Sequence, residues 1–305
     1  MSINRRLRMV PESRMVQIRP GPFVRVSFLM VCLTLCLFYN QTNVYAALDE
    51  KVEVAAGALT PEESAWIKQH SGPIIAGAEM DWPPFDYVQN TRATGYSNEL
   101  LRLAAGKVGL PMEFVSGYTW TELLDKFKRR EVDILPAVYK TPEREISMVF
   151  TQGYITNPSV LVTHEESPGL QTLEDLAGKK VAIVEGFATA QLMAERYPDI
   201  EQAPVKNVLE GLKAVSFRKA AAFIGSFGVI SHHLKVNVIP YVRIVDEVWL
   251  KKSAETRLHM ATLREQEILR NILQKGLDAV SEIERNTLRQ EWLYLDRVVQ
   301  TSFSL

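Results

Sequence analysis

Cysteine is almost missing from this chain: among 305 residues there are two, Cys32 and Cys36, both in the uncharged run from Val26 to Tyr39. From Ala47 onward there is none, so disulfides, thiolate catalysis and cysteine-held metals are excluded there. Histidine is nearly as sparse. Its five copies (His70, His164, His232, His233, His259) form neither an HExxH motif nor an i,i+4 pair. The adjacent His232 and His233 point different ways on regular structure and read as solvated. No G-x-S-x-G segment offers a nucleophile elbow, and among the many carboxylates no pair stands out as acid and base. The sequence therefore assigns no catalytic residue, no metal ligand and no cofactor. Repeats and low-complexity tracts are also missing.

Charge is unevenly spread. Residues 1–25 hold six arginines against the single acid Glu12, the uncharged run follows, and Val44-Tyr45-Ala46 sets small residues at the −3 and −1 positions of a cleavage site. These are the parts of a secretory signal peptide, here 1–46, and predict export to a bacterial periplasm. The run is 14 residues long, short of the roughly 20 a spanning helix needs; an uncleaved membrane anchor, lengthened by Phe23-Val24, is the alternative. Of 35 basic and 36 acidic residues, six and one precede Ala47, so the remainder carries a net charge of −6. That balance argues against nucleic acid or an anionic membrane surface as partner. The remaining 259 residues suffice for two substantial cores.

Residues 47–69 read as a linker and a short helix, opened by Thr60 with Pro61 and two acids in the first turn. Apolar runs at 73–78, 113–115 and 133–136 read as strands, separated by amphipathic stretches at 97–108 and 120–130. This β-α-β-α-β alternation predicts a mostly parallel sheet covered by helices, an α/β fold. The alternation restarts with strands at 181–184, 204–208 and 222–224 and helices at 189–197 and 211–219. Apolar connections at 155–162 and 258–263 predict two lobes with a cleft between them. Residues 265–295 read as strongly helical, with an apolar stripe of Ile268, Leu269, Ile272, Leu273, Val280 and Ile283.

Three segments fall where ligands meet open α/β sheets, at the carboxyl ends of strands. Asp81-Trp82-Pro83-Pro84-Phe85 is a stiff loop that could present Trp82 as an aromatic wall; Phe85 reads better as core, and Trp82 serves either role equally. Thr141-Pro142-Glu143-Arg144 sets a guanidinium fork suited to a carboxylate or phosphate, unless Arg144 pairs with Glu143, Glu145 or Asp133. Glu185-Gly186-Phe187-Ala188-Thr189 is a strand-to-helix turn whose N–H groups suit an anion, although one glycine is a weak signal.

Taken in order, Trp82-Pro83-Pro84-Phe85, Gly95-Tyr96, Asp133-Ile134, Thr141-x-x-Arg144, Phe150-Thr151-x-x-Tyr154, Leu173-x-Asp175-Leu176-x-Gly178-Lys179, Glu185-Gly186, Ala222-Phe223-Ile224-Gly225 and Glu291-Trp292 carry a resemblance. From Ile74 to Leu293 the chain resembles the family 3 extracellular solute-binding proteins and, somewhat more, their sensor-type branch found in histidine kinases. The resemblance implies a type II, Venus-flytrap periplasmic-binding fold with two crossing strands, lobe one being 70–158 plus 259–298 and lobe two 159–258. It implies a ligand-binding set of Trp82, Tyr139, Thr141, Arg144, Gly186, Phe187, Ala188, Thr189 and Ser226. Arg144 matches the clamp on a ligand carboxylate, Trp82 the stacking aromatic, and Gly186 to Thr189 the second-lobe turn that meets the same carboxylate.

Two positions depart from the pattern. Ser226 stands near the place of an aspartate that holds a ligand's ammonium, and Pro136-Ala137-Val138-Tyr139 replaces a serine-rich stretch. Burying an ammonium without a carboxylate is costly, so the expected ligand is a small carboxylate-bearing solute, an amino acid or organic acid, with no obligatory α-amine. The implied partner is an ABC permease or a membrane sensor protein. The rival reading is an enzyme on the same fold, cyclohexadienyl dehydratase-like, using Glu79, Asp81 or Glu185.

Overall fold

Capping and periodicity signals turn into elements in the expected order. The structure, a computed structural model, describes residues 59–247 and 256–293; the expected signal at 1–46 and most of the linker lie outside the described residues. Thr60 caps α1 (Pro61–Gln69) through a capping box with Glu63. The buried strand β1 (Ile74–Glu79) leads into β2 (Asp81–Trp82), β3 (Asp86–Gln89) and β4 (Arg92–Thr94), which form a small antiparallel sheet. Next come α2 (Tyr96–Lys107), β5 (Met112–Tyr118), parallel to β1, then α3 (Trp120–Lys128) and β6 (Leu135–Tyr139). The third strand starts later than its apolar run because Asp133 caps β1 instead, its Oδ2 accepting from Ile75 N–H at 2.9 Å.

After α4 (Arg144–Ser147), β7 (Met148–Phe150) and β8 (Ile155–Thr156), the chain enters a second sheet. There it forms β9 (Ser159–His164), β10 (Lys180–Val184), α5 (Ala188–Arg196), β11 (Glu201–Val205), α6 (Val208–Ser216), β12 (Ala222–Ser226), α7 (Phe227–Val236) and β13 (Val242–Glu247). It returns through β14 (Arg257–Leu263) and ends in α8 (Glu267–Ala279) and α9 (Glu282–Trp292). The second sheet has the order β11-β10-β12-β9-β13, in which β9 alone runs against the other four strands. The two crossings pair with each other: β8 and β14 are antiparallel, and Asn157 N–H donates to Thr256 O at 2.7 Å.

One expectation needs correction. Residues 204–208 do not form one strand, because Asn207 caps α6 by accepting from Glu210 N–H at 2.9 Å, so the helix begins at Val208 and the strand ends at Val205. The helical stretch expected over 265–295 is made of two helices, divided where Ser281 and Glu284 form a capping box.

Close packing sets one sharp expectation. Gly276 on α8 lies against α2 so tightly that a β-carbon there would sit 2.4 Å from the Ala104 carbonyl oxygen. Gly276→Ala should therefore cost about 1–3 kcal/mol of overpacking, read as a lower urea midpoint with an unchanged m-value.

Candidate functional site

The loop after β1 is held by the start of α2. Tyr96 N–H donates to Pro84 O and Ser97 N–H to Phe85 O, both at 2.9 Å, satisfying first-turn donors that a helix leaves open. Gly95 allows this contact: its φ is +104° and a β-carbon would sit 2.5 Å from Phe85 O. Trp82 and Phe85 are thereby fixed side by side, both buried, with ring centroids 5.3 Å apart.

Arg144 extends from the first turn of α4, where Thr141 Oγ1 accepts from its backbone N–H at 3.2 Å. Its guanidinium donates to Tyr139 O at 2.9 Å and, across the cleft, to Gly186 O at 3.3 Å. It stands 5.2 Å over the Trp120 ring. Among the described residues it makes no ion pair, so the pairing with Glu143, Glu145 or Asp133 that competed in the sequence does not form; Glu145 pairs with Lys140 instead. Desolvation, only partly offset by the neighbouring Glu143, brings the Arg144 pKa down to about 10. Trp120 Nε1–H donates to the same Gly186 oxygen at 3.0 Å. Gly186, at φ +75°, brings lobe two this close because a β-carbon there would already be 3.2 Å from Thr121 Oγ1.

These groups wall a cleft with Glu79, Trp82, Trp120, Ala137, Tyr139, Arg144, Phe187 and Ala188 around it. Its empty space is about 270 Å3 with the open mouth included. Of the residues expected from the sequence, Trp82, Tyr139, Arg144, Phe187 and Ala188 meet at this cavity. Thr141, Gly186, Thr189 and Ser226 stand outside its lining: Thr141 holds Arg144, and Gly186 turns its carbonyl toward Arg144. Ser226 Oγ is hydrogen-bonded to Tyr139 OH at 2.9 Å, and that hydroxyl also donates to Asn157 O at 2.8 Å. Trp120 was read only as part of a helix face; its place at N1 beyond a Thr119 capping box was the available signal.

Glu79 is the second addition. The sequence offers it only to the enzyme reading and carries no signal that selects it. It lies at the end of β1, buried, and among the described residues its carboxyl has neither an ion pair nor a hydrogen bond. Burial and then the neighbouring Asp86 and Asp81 push its pKa well up. Asp86, also buried, accepts from Glu79 N–H at 3.1 Å and from Asn98 Nδ2 at 2.8 Å, and burial raises its pKa to about 7. A carboxyl with a raised folded-state pKa stabilises fully below its unfolded-state value and loses that contribution as pH rises through the folded one. The unliganded protein should therefore melt at a higher temperature at pH 5.5 than at pH 8.5, and Asp86→Asn should flatten the difference in calorimetry.

His233 corrects another expectation. It is buried on α7, not solvated, with Nε2 3.8 Å from Asp81 Oδ1 across the cleft, and burial lowers its pKa to about 4. His232 beside it is half-buried, its ring centroid 6.3 Å from that of Tyr87. Among the described residues no group of three or more His, Cys, Asp or Glu could hold a metal ion, and no helix is long and apolar enough to cross a membrane.

Two α/β lobes joined by a paired crossing, with an aromatic cleft and an arginine that makes no ion pair among the described residues, define a hinged solute-binding domain. The chain belongs to the bacterial extracellular solute-binding proteins, family 3, whose profile matches residues 74–294. It is 26% identical over 243 residues to the virulence sensor protein BvgS of Bordetella pertussis, covering 79% of this chain and 19% of that protein; the chain thus spans about a fifth of that relative. The crystal structure of the BvgS periplasmic VFT2 domain superposes with a TM-score of 0.66 at 25% identity, covering 76% of this chain and 98% of that one. The arginine-binding extracellular protein ArtP of Bacillus subtilis is 31% identical over 127 residues, 41% of this chain and 49% of that protein.

Proposed function

We propose that the chain works outside the cytoplasmic membrane as the ligand-binding part of an uptake or signalling system, closing on a small carboxylate that also carries a cationic group. The carrying observation is that one cleft holds a half-buried guanidinium and a buried carboxyl, neither in an ion pair among the described residues. Buried charges require partners, and a zwitterion supplies both. Its carboxylate takes Arg144 from the Gly186 carbonyl, which is the weaker acceptor, and its cation takes Glu79. Its body lies between Trp82 and Trp120, where cation–π attraction favours a guanidinium. Arginine suits this chemistry, and the similarity to ArtP supports it.

Ser226, tied to Tyr139, offers an α-ammonium no carboxylate, so the cation that matters is the distal one. This refines the expectation of a ligand with no obligatory α-amine. The closed form is what a membrane permease or sensor protein reads, through the ligand's differential contacts with that form. Thermal shift with three probes tests the reading. L-arginine and δ-guanidinovalerate, which lacks the α-amine, should both stabilise the protein, and pentanoate should not. Stabilisation by L-arginine alone overturns the distal-cation reading, and stabilisation by pentanoate as strong as by arginine overturns the zwitterion.

A further inference from the structure

A carboxyl buried in a cavity wall among other acids invites the question of where its proton goes. The elements packed around Glu79 contribute to the answer, among them β6, whose Tyr139 lines the same cavity, and α3, whose Lys126 ammonium stands 4.5 Å over the Tyr118 ring. β2 brings Asp81 and β3 brings Asp86, whose Oδ1 accepts the Glu79 backbone N–H at 3.1 Å. β5 sets Tyr118 opposite in register. α4 brings Arg144, whose guanidinium is turned to the Tyr139 and Gly186 carbonyls, and α7 offers His232 and His233 to Asp81 rather than to Glu79. Asp86 is itself held by Asn98 and has nowhere to move. Among the described residues, then, the charges that bear on Glu79 are the acids Asp86 and Asp81, and it forms no ion pair, although Arg144 lines the same cavity.

We infer that ligand capture is coupled to proton release: the unliganded cleft keeps Glu79 protonated, and the arriving cationic group displaces that proton to solvent. This rests on the zwitterion reading above and adds a regulation of the same site. The Glu79 O–H bond breaks, the proton passes to buffer, and the ligand's fixed positive charge takes its place beside the carboxylate, leaving the charge at the Glu79 end of the cleft unchanged while the ligand's carboxylate offsets Arg144 at the other end. Affinity then rises with pH by about tenfold per unit for one proton released, wherever unliganded Glu79 stays protonated. Acid outside the cell empties the cleft without touching Arg144, and alkali fills it. Asp86 acts through Glu79 as a positioning and charge-setting residue, since its carboxylate disfavours a second negative charge beside it.

Two measurements on the full chain decide this. Carboxyl 13C NMR of the unliganded protein, with the Glu79 signal assigned by Glu79→Gln, should show a protonated carboxyl at pH 7. Calorimetry with L-arginine at pH 7 in phosphate and in Tris, buffers of different ionisation enthalpy, should report about one proton released per ligand bound. Asp86→Asn should lower that number and flatten the pH dependence of affinity. If this variant does not fold, the NMR titration and the wild-type buffer comparison still decide the matter. Arginine binding with no proton release, or an ionised Glu79 at pH 6, overturns the coupling and leaves the zwitterion reading standing. No arginine binding between pH 6 and 9 overturns both.

Discussion

Arg144→Ala is expected to weaken L-arginine binding by at least about a hundredfold, the order of 3 kcal/mol seen when one partner of a buried charged pair is truncated. The unliganded guanidinium spends its donors on two neutral carbonyls, Tyr139 O and Gly186 O. A carboxylate is a stronger acceptor for the same fork, so the gain on binding is concentrated in this side chain. Lysine should not restore it, because a point charge lacks the bidentate geometry and the stacking on Trp120. Calorimetry on the two variants checks both statements. Wild-type affinity in Arg144→Ala would remove the arginine from the site. The melting temperature of the unliganded protein should change little by comparison, since the hydrogen bonds lost are to carbonyls near the cleft rather than to the core.

Glu79→Gln should act in opposite directions on binding and stability. Hydrogen bonds to charged groups contribute about 1.5–3 kcal/mol each, so the variant should bind δ-guanidinovalerate some ten- to a hundredfold more weakly while its weak response to pentanoate stays the same or improves. Without ligand, at pH 8.5, it should melt at a higher temperature than the wild type, because a buried carboxyl that resists ionisation has been replaced by a neutral amide of the same shape. Paired scans with and without ligand give both readings. A parallel loss of stability and binding would mean that Glu79 is simply structural.

Much of this was legible in the sequence. The β-α-β-α-β pattern and its restart announced two α/β lobes, because period-2 and period-3.6 apolar spacing survives in single-residue detail. Arg144 and Trp82 were found through their place at strand ends, and Phe187 and Ala188 through the turn after β10. What escaped was whatever depends on distant residues meeting. Trp120 looked like another apolar face residue of α3, yet it bonds Gly186, 66 positions away. Glu79 was one acid among many until burial beside Asp86 distinguished it. His233 looked solvated because adjacent histidines diverge, but α7 turns one of them inward against Asp81. Local signals were also underweighted: Asn207 and the Ser281–Glu284 pair each cap a helix whose start apolar periodicity alone does not fix.

The central feature of the cleft is that it holds a ligand's two ends at two different places. A crystal structure with L-arginine or δ-guanidinovalerate tests this most directly. The ligand carboxylate should be bidentate on Arg144, with the Gly186 carbonyl displaced, and the guanidinium should lie between Trp82 and Trp120 against Glu79. A ligand seated elsewhere, or one whose cationic end makes no contact with Glu79 while the Arg144–Gly186 bond persists, would contradict it.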